Sequence, residues 1–316
     1  MSAATIPDAP ARPSSTPPRL PRRDRVLILS ALAGLTVLSW AYLVDMALDM
    51  GGIAEMAGME GVSGMGATTA EDVLRIRPWS LRDFGLMSAM WVIMMVGMMV
   101  PTAVPMVLIF AAISRKAAGQ GQHVAHTGFF VTGYIGAWTG FSLLATVAQW
   151  GLDQAALLSP MMVSTSPGIG AGLLITAGLY QLTPWKDACL DHCRTPAHFI
   201  SQHWRDGGFG AFRMGVEHGL FCLGCCWALM GLLFFGGVMN LLWIVAITGF
   251  VLLEKVLPVG PQGGRIAGGA MIAAGLLVLV LSGTGRGLPV GSPRDSVHVP
   301  DPACLAGRGL ENEVPS

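Results

Sequence analysis

Five of the six cysteines fall in two tight groups: Cys189 and Cys193 in Cys189-Leu190-Asp191-His192-Cys193, and Cys222, Cys225 and Cys226 in Cys222-Leu223-Gly224-Cys225-Cys226. Thiolate and imidazole are donors that suit Cu(I) and zinc, so both groups are candidate metal ligands. On a helix, His218, Cys222 and Cys226 recur every four residues and Cys225 follows Cys222 by three, which puts an imidazole and three sulfurs on one stripe. Met214 and Met230 extend that stripe with thioethers, which suit Cu(I) rather than zinc. Glu217 stands beside it, and an ionisable residue in an apolar span is a functional candidate because its charge is costly there. The competing reading is packing, since cysteine is often buried as a small residue. Three cysteines within five residues, one turn from a histidine, are harder to ascribe to packing.

In the first group Cys189, His192 and Cys193 place three donors within five residues, but a zinc site usually draws on a second ligand pair. The Cys222 group would supply it if the connecting segment folds back over its helix. The order is C-x-x-H-C, not the C-x-x-C-H of covalent haem attachment. Methionine carries a second signal. Met46, Met50, Met56, Met59 and Met65 lie among Gly, Ala and acidic residues in an expected outer loop, where thioethers suit Cu(I) or Ag(I) capture. Met87, Met90, Met94, Met95, Met98, Met99 and Met106 fill one apolar run, as gap-filling and lipid-facing residues for the most part. Met87, Met90, Met94 and Met98 share a face, and Pro101 and Pro105 should kink the helix and free carbonyls, so Met94 and Met98 are further candidate ligands along an ion path. His123 and His126 are two unremarkably spaced histidines before the next run, a weaker candidate for metal approach.

The elements that must position these residues follow from composition. Hydrophobic residues make up 53% of the 316-residue chain and charged residues 12%, with mean hydropathy +0.59. A soluble domain carries about a quarter charged residues. The charges leave several stretches of roughly 20 residues bare, each matched to a bilayer core of about 30 Å, and backbone polar groups in lipid must be satisfied within the segment. The expected fold is all-α: a polytopic transmembrane helix bundle of about seven spans, at residues 26–46, 84–113, 127–150, 169–185, 212–236, 238–257 and 266–282. Arg22, Arg23 and Arg25 precede an apolar run too long for a cleavable signal, so the first span reads as an uncleaved anchor.

Lys and Arg near the span ends orient the bundle. With the N-terminus inside, the inner segments hold Arg12, Arg19, Arg22, Arg23, Arg25, Arg115, Lys116, Lys186, Arg194, Arg205, Arg213, Lys255 and Arg265. The outer segments hold Arg75, Arg77, Arg82, Arg286, Arg294 and Arg308. The excess inside predicts N-in and C-out, with both cysteine groups facing a reducing compartment where disulfides do not persist. The expected organisation is a disordered tail at 1–25, a transmembrane domain at 26–283 with a Met-rich outer loop at 47–83 and an inner Cys/His loop at 186–211, and a disordered outer tail at 284–316 that holds Cys304. Trp91, Trp138, Trp150, Trp185, Trp227 and Trp243 include interfacial anchors, and Glu254 and Lys255 are expected to snorkel to the inner surface as a pair. Nothing basic enough to bind nucleic acid is present.

The stretch Gly178-Leu179-Tyr180-Gln181-Leu182-Thr183-Pro184-Trp185-Lys186 running into Cys189-Leu190-Asp191-His192-Cys193-Arg194 resembles a bacterial family of integral membrane proteins predicted to bind metal and in part linked to copper handling. So do Gly215-Val216-Glu217-His218-Gly219, Cys222-Leu223-Gly224-Cys225-Cys226-Trp227-Ala228-Leu229-Met230, Gly236-Gly237-Val238-Met239-Asn240-Leu241 and the Met-rich run with Trp91 and Pro101. The resemblance covers roughly residues 87–258. It implies metal binding at Cys189, His192, Cys193, His218, Cys222, Cys225 and Cys226 in a bacterial inner membrane.

The leading functional expectation is a metal-handling membrane protein, for Cu(I) or else zinc, working with membrane lipid, the ion, and a metallochaperone or membrane-complex partner. A structural subunit or assembly factor is the second reading. A membrane thiol oxidoreductase using Cys222 and Cys225, with Cys189 or Cys193 resolving, is the third. Enzymatic activity is the lesser expectation, because membrane disulfide generators keep their exchanging cysteines at the oxidising face.

Overall fold

The computed structural model describes residues 20–59, 79–121, 126–155, 166–238, 240–256 and 260–283. Among these all regular structure is helical: α1 (Arg22–Met59), α2 (Leu81–Gly119), α3 (Thr127–Gln154), α4 (Pro167–Gln181), α5 (Pro184–Arg194), α6 (Pro196–His203), α7 (Gly207–Gly231), α8 (Leu233–Gly236), α9 (Leu241–Val256) and α10 (Gly260–Gly283). The tails before residue 20 and after 283, Met65, His123 and Cys304 lie outside the described residues.

Local chemistry sets the helix starts. At Ser80 a capping box opens α2: the Asp83 N–H donates to Ser80 Oγ at 3.2 Å and the Ser80 N–H donates to the Asp83 carboxylate at 3.0 Å. Proline, whose fixed φ suits a first turn and whose missing N–H costs nothing there, begins α4, α5 and α6. Thr183 caps α5 by accepting from the Lys186 N–H at 3.3 Å.

Among the described residues five helices are long and apolar enough to cross a membrane, at Arg22–Asp49, Leu81–Gly119, Thr127–Gln154, Gly207–Gly236 and Gln262–Gly283. The other two expected spans, α4 and α9, have 15 and 16 residues. At 1.5 Å per residue they reach about 22 to 24 Å, short of a core of about 30 Å. Two expected loops are instead helical. Residues 47–59 continue α1, since no proline interrupts them and glycine, at about 1 kcal/mol each, does not stop a helix already running. The inner Cys/His segment forms α5 and α6.

Helix α2 is the hub, packed by α1, α3, α6 and α9. Met90, Met94, Met95, Met98, Met99 and Met106 are buried as gap-filling residues, and Met87 is half-buried. The flexible thioether fills the irregular gaps between four neighbours. Trp91 and Trp138 are buried too, not interfacial anchors; the Trp91 indole donates to Gln149 Oε1 at 2.6 Å across to α3. Trp150, Trp185 and Trp227 remain exposed, as anchors would be. The Gly97 carbonyl, whose partner Pro101 has no N–H to give, accepts from the Trp40 indole at 3.2 Å. Between α2 and α3, Trp79 donates to Asp153 at 2.8 Å at one end, and between α1 and α2, Arg115 pairs with Asp24 at the other.

Two helix pairs pack backbone to backbone. A β-carbon on Gly133 of α3 would run into the Phe212 carbonyl of α7, and one on Gly215 of α7 would lie 2.9 Å from the Phe130 carbonyl carbon of α3. Along α10, a β-carbon on Gly268 would lie 2.8 Å from the Gly178 carbonyl of α4. Small residues that let backbones meet are the packing device of helices in lipid. The crossing has no room to give, whereas Gly140 on α3 has nothing within 4 Å. Gly215→Ala is therefore expected to destabilise the purified protein by roughly 1–3 kcal/mol or more through overpacking, and Gly140→Ala to be neutral, in thermal melts of the two variants in detergent.

Candidate metal centre

Cys222 lies midway along α7, and its side-chain partners come from three other helices, α3, α5 and α9. The close approach at Gly215 and Gly219 carries α3 alongside, so Tyr134 Oη reaches Cys222 Sγ at 3.1 Å and the Met99 carbonyl of α2 at 3.1 Å. Cys225 and Cys226, one turn on, each direct their thiol back to the Cys222 carbonyl at 3.0 Å. Both are buried, as is Cys222.

Helix α5 folds back along α7, as the joint-site reading requires. A clamp holds it there. Buried Lys186 pairs with Glu254 at the end of α9, and the Arg194 Nε–H donates to the Glu254 backbone carbonyl at 2.9 Å. Cys189 and Cys193, four apart on α5, then share the face toward α7. The Cys193 thiol hydrogen-bonds the sulfurs of Cys222 and Cys225. Cys189 Sγ sits so close to Gly224 that a β-carbon there would lie 2.8 Å from it, which explains the glycine between the two halves of the α7 motif. All five described cysteines are free thiols.

Sequence reasoning missed Lys255. It neither snorkels nor pairs with Glu254: its Nζ turns inward, 2.8 Å from Cys222 Sγ and 3.3 Å from Thr102 Oγ1. Glu254 faces Lys186 instead. The only available signal was a lysine next to a glutamate at a helix end, and that pattern reads equally as surface. Tyr134 was likewise unmarked, one aromatic among many.

The remaining candidates divide. His218 is buried among Phe130, Tyr134 and Phe199, with its Nδ1 lacking a hydrogen-bond partner. A buried polar atom left unpaired calls for an explanation, and a ligand is one. His192 lies elsewhere: its ring stacks on Phe221 at 4.3 Å and its Nδ1 contacts the Ala188 carbonyl at 2.8 Å. Glu217 faces Arg205 at 3.0 Å and Arg213 at 3.1 Å, so its charge is compensated at the start of α7 rather than aimed at the sulfurs. Met214, Met230, Met94 and Met98 are wholly buried in the common core. Among the described residues no group of three or more His, Cys, Asp and Glu side chains stands arranged as a ready metal site.

Burial, and then the charge of nearby Cys225, push the Cys189 thiol above the ordinary thiol range. Hydrogen bonds donated to Cys222 and Cys225, reinforced by burial, push Cys193 well above it. Both thiols therefore hold their protons at neutral pH. Metal capture by either must release a proton.

Residues 88–278, more than half of the chain, match a family model described as PpoB2, copper chaperone. The match starts one residue after and ends twenty residues beyond the stretch that carries the resemblance noted from sequence. No curated protein and no solved structure matches the chain.

Because its pKa is raised, Cys189 should alkylate slowly at neutral pH, and its rate should climb to a midpoint above the roughly 8.5 of a free thiol. Cys225→Ser removes one cause and is expected to lower that midpoint. Site-resolved mass spectrometry of iodoacetamide-treated protein across pH reads both effects.

Proposed function

Because this chain belongs to the copper chaperone family PpoB2, we propose that it is a membrane protein that binds and hands on Cu(I) as cargo through the thiols gathered between α5 and α7. The observation that carries this reading is the contact of Cys193 with Cys222 and Cys225, sulfurs from two elements meeting in a buried place. Thiolates are the donors that select Cu(I). A d10 monovalent ion is satisfied by two thiolates, whereas a structural zinc site needs four donors in a closed tetrahedron.

The geometry supports a relay. Cys189 and Cys193 are half-buried while Cys222, Cys225 and Cys226 are buried, so an ion held by Cys189 can pass to Cys193 and then to the α7 sulfurs by exchanging one thiolate at a time. His218, with an unpaired buried nitrogen, is the candidate third donor at the inner end of the stripe. His192 orients α5 against Phe221 and is not counted among the ligands.

In the proposed setting the chain is a seven-span protein of a bacterial inner membrane, N-in and C-out, with tails at 1–25 and 284–316. The pairing of Trp79 with Asp153 at one end of the bundle and of Asp24 with Arg115 at the other agrees with up-and-down helices. Cys189 then lies toward the reducing side, where thiols stay free to bind, and the Met-rich segment on the opposite side gathers the ion. A metallochaperone or a membrane-complex partner takes or supplies it at α5. Dithiol chemistry between Cys193 and Cys222 is a second reading favoured by the same contact; its mark would be an interhelical disulfide formed by oxidised dithiothreitol, with the two protons and two electrons passing to that reagent.

Purified full-length protein under reducing conditions is expected to bind about one or more Cu(I) per chain, measured by chelator competition and elemental analysis. The Cys222→Ser/Cys225→Ser/Cys226→Ser variant should lose most of it; unchanged stoichiometry in that variant refutes the site. Because Cys193 holds its proton well above the ordinary thiol range, apparent Cu(I) affinity should keep rising with pH beyond the roughly 8.5 at which a free thiol titrates.

A further inference from the structure

Lys255 is a lysine whose charge is directed at sulfur. Its Nζ lies 2.8 Å from Cys222 Sγ and 3.3 Å from Thr102 Oγ1. Two half-buried carboxylates of the bundle are engaged elsewhere, Glu254 by Lys186 and Glu217 by Arg205 and Arg213. The clamp on Glu254 matters here, because it keeps the adjacent carboxylate from neutralising Lys255.

Resting on the copper reading above, we propose that Lys255 determines the specificity of the site, holding a fixed positive charge against Cys222 so that a monovalent soft cation is accepted and a divalent one rejected. The charge count gives the reason. Two thiolates and one Cu(I) sum to minus one, and the ammonium brings the buried assembly to zero. Two thiolates and one divalent ion already sum to zero, and the ammonium leaves a net positive charge in a low-dielectric interior, where uncompensated charge is most costly. The ammonium also repels a dication with twice the energy it exerts on a monocation at the same distance. Softness alone does not separate Cu(I) from Cd(II), since thiolates bind both. Charge does. Thr102, which donates to the Met99 carbonyl at 2.8 Å, accepts a second hydrogen bond from the ammonium and helps hold it in place.

The test compares Ag(I) and Cd(II), two soft ions differing in charge, together with Cu(I), on full-length protein in detergent under reducing conditions, in the wild type, Lys255→Met and Lys255→Arg. Affinities are read by competition and by thiolate-to-metal absorption. Lys255→Met is expected to lower the Ag(I)-to-Cd(II) affinity ratio by about tenfold or more, chiefly by tightening Cd(II). Lys255→Arg, which keeps the charge, is expected to stay within about threefold of the wild type. Where Lys255→Met does not yield folded protein, Lys255→Gln carries the same comparison. An unchanged ratio in the neutral variants, or an arginine variant that behaves like them, overturns the assignment while leaving the copper reading standing. A wild type that binds neither Cu(I) nor Ag(I) overturns both.

Discussion

The crossing of α3 and α7 at Gly133 and Gly215 is the constraint on which the rest of the site depends. Two backbones can meet only where neither helix carries a β-carbon, and their contact removes the slack that side chains would otherwise supply. With that distance set, Tyr134 falls beside Cys222 and the His218 ring falls among Phe130, Tyr134 and Phe199. A larger residue at either glycine would part the helices and separate these groups together. The second glycine contact, Gly178 against Gly268, ties α10 to α4 by the same means.

A second constraint acts from the side. Helix α5 is short, polar and unable to hold its place by apolar burial alone; Lys186 and Arg194 anchor its two ends to the last turn of α9. That clamp brings Cys193 onto Cys222 and Cys225, and it also engages Glu254, the carboxylate next to Lys255 in the chain. The same ion pair thus serves assembly and electrostatics. A buried lysine paired with a glutamate is weak evidence of stability in general, because desolvation offsets much of the attraction. Here its value is positional.

The polar groups around Cys222 form a linked set across four helices, from Lys255 through Thr102 and the Met99 carbonyl to Tyr134. Such a network is held rigid when its members are satisfied and is costly when one is removed. Copper handling asks for a site that is firm in geometry yet able to let the ion go. In the proposed relay the buried sulfur triad supplies the first property and the half-buried pair of thiols at its edge the second, with exchange beginning at Cys189 and proceeding inward one ligand at a time.

Sequence alone determined the helical class, the five described helices long and apolar enough to cross a membrane, and the stripe of His218, Cys222 and Cys226. Each follows from short-range regularities: hydropathy over about twenty residues, or a spacing of three or four. It also raised the joining of the two cysteine groups as a condition to be met. Meeting it was decided by tertiary structure, through contacts between residues as far apart in the chain as Lys186 and Glu254. The same holds for what the sequence misjudged. Whether Lys255 snorkels or turns inward, whether Trp91 anchors at an interface or donates to Gln149, and whether Glu217 faces a metal or two arginines depend on which helix stands opposite. Periodicity records how one helix divides into faces; it carries no information on what lies across from each.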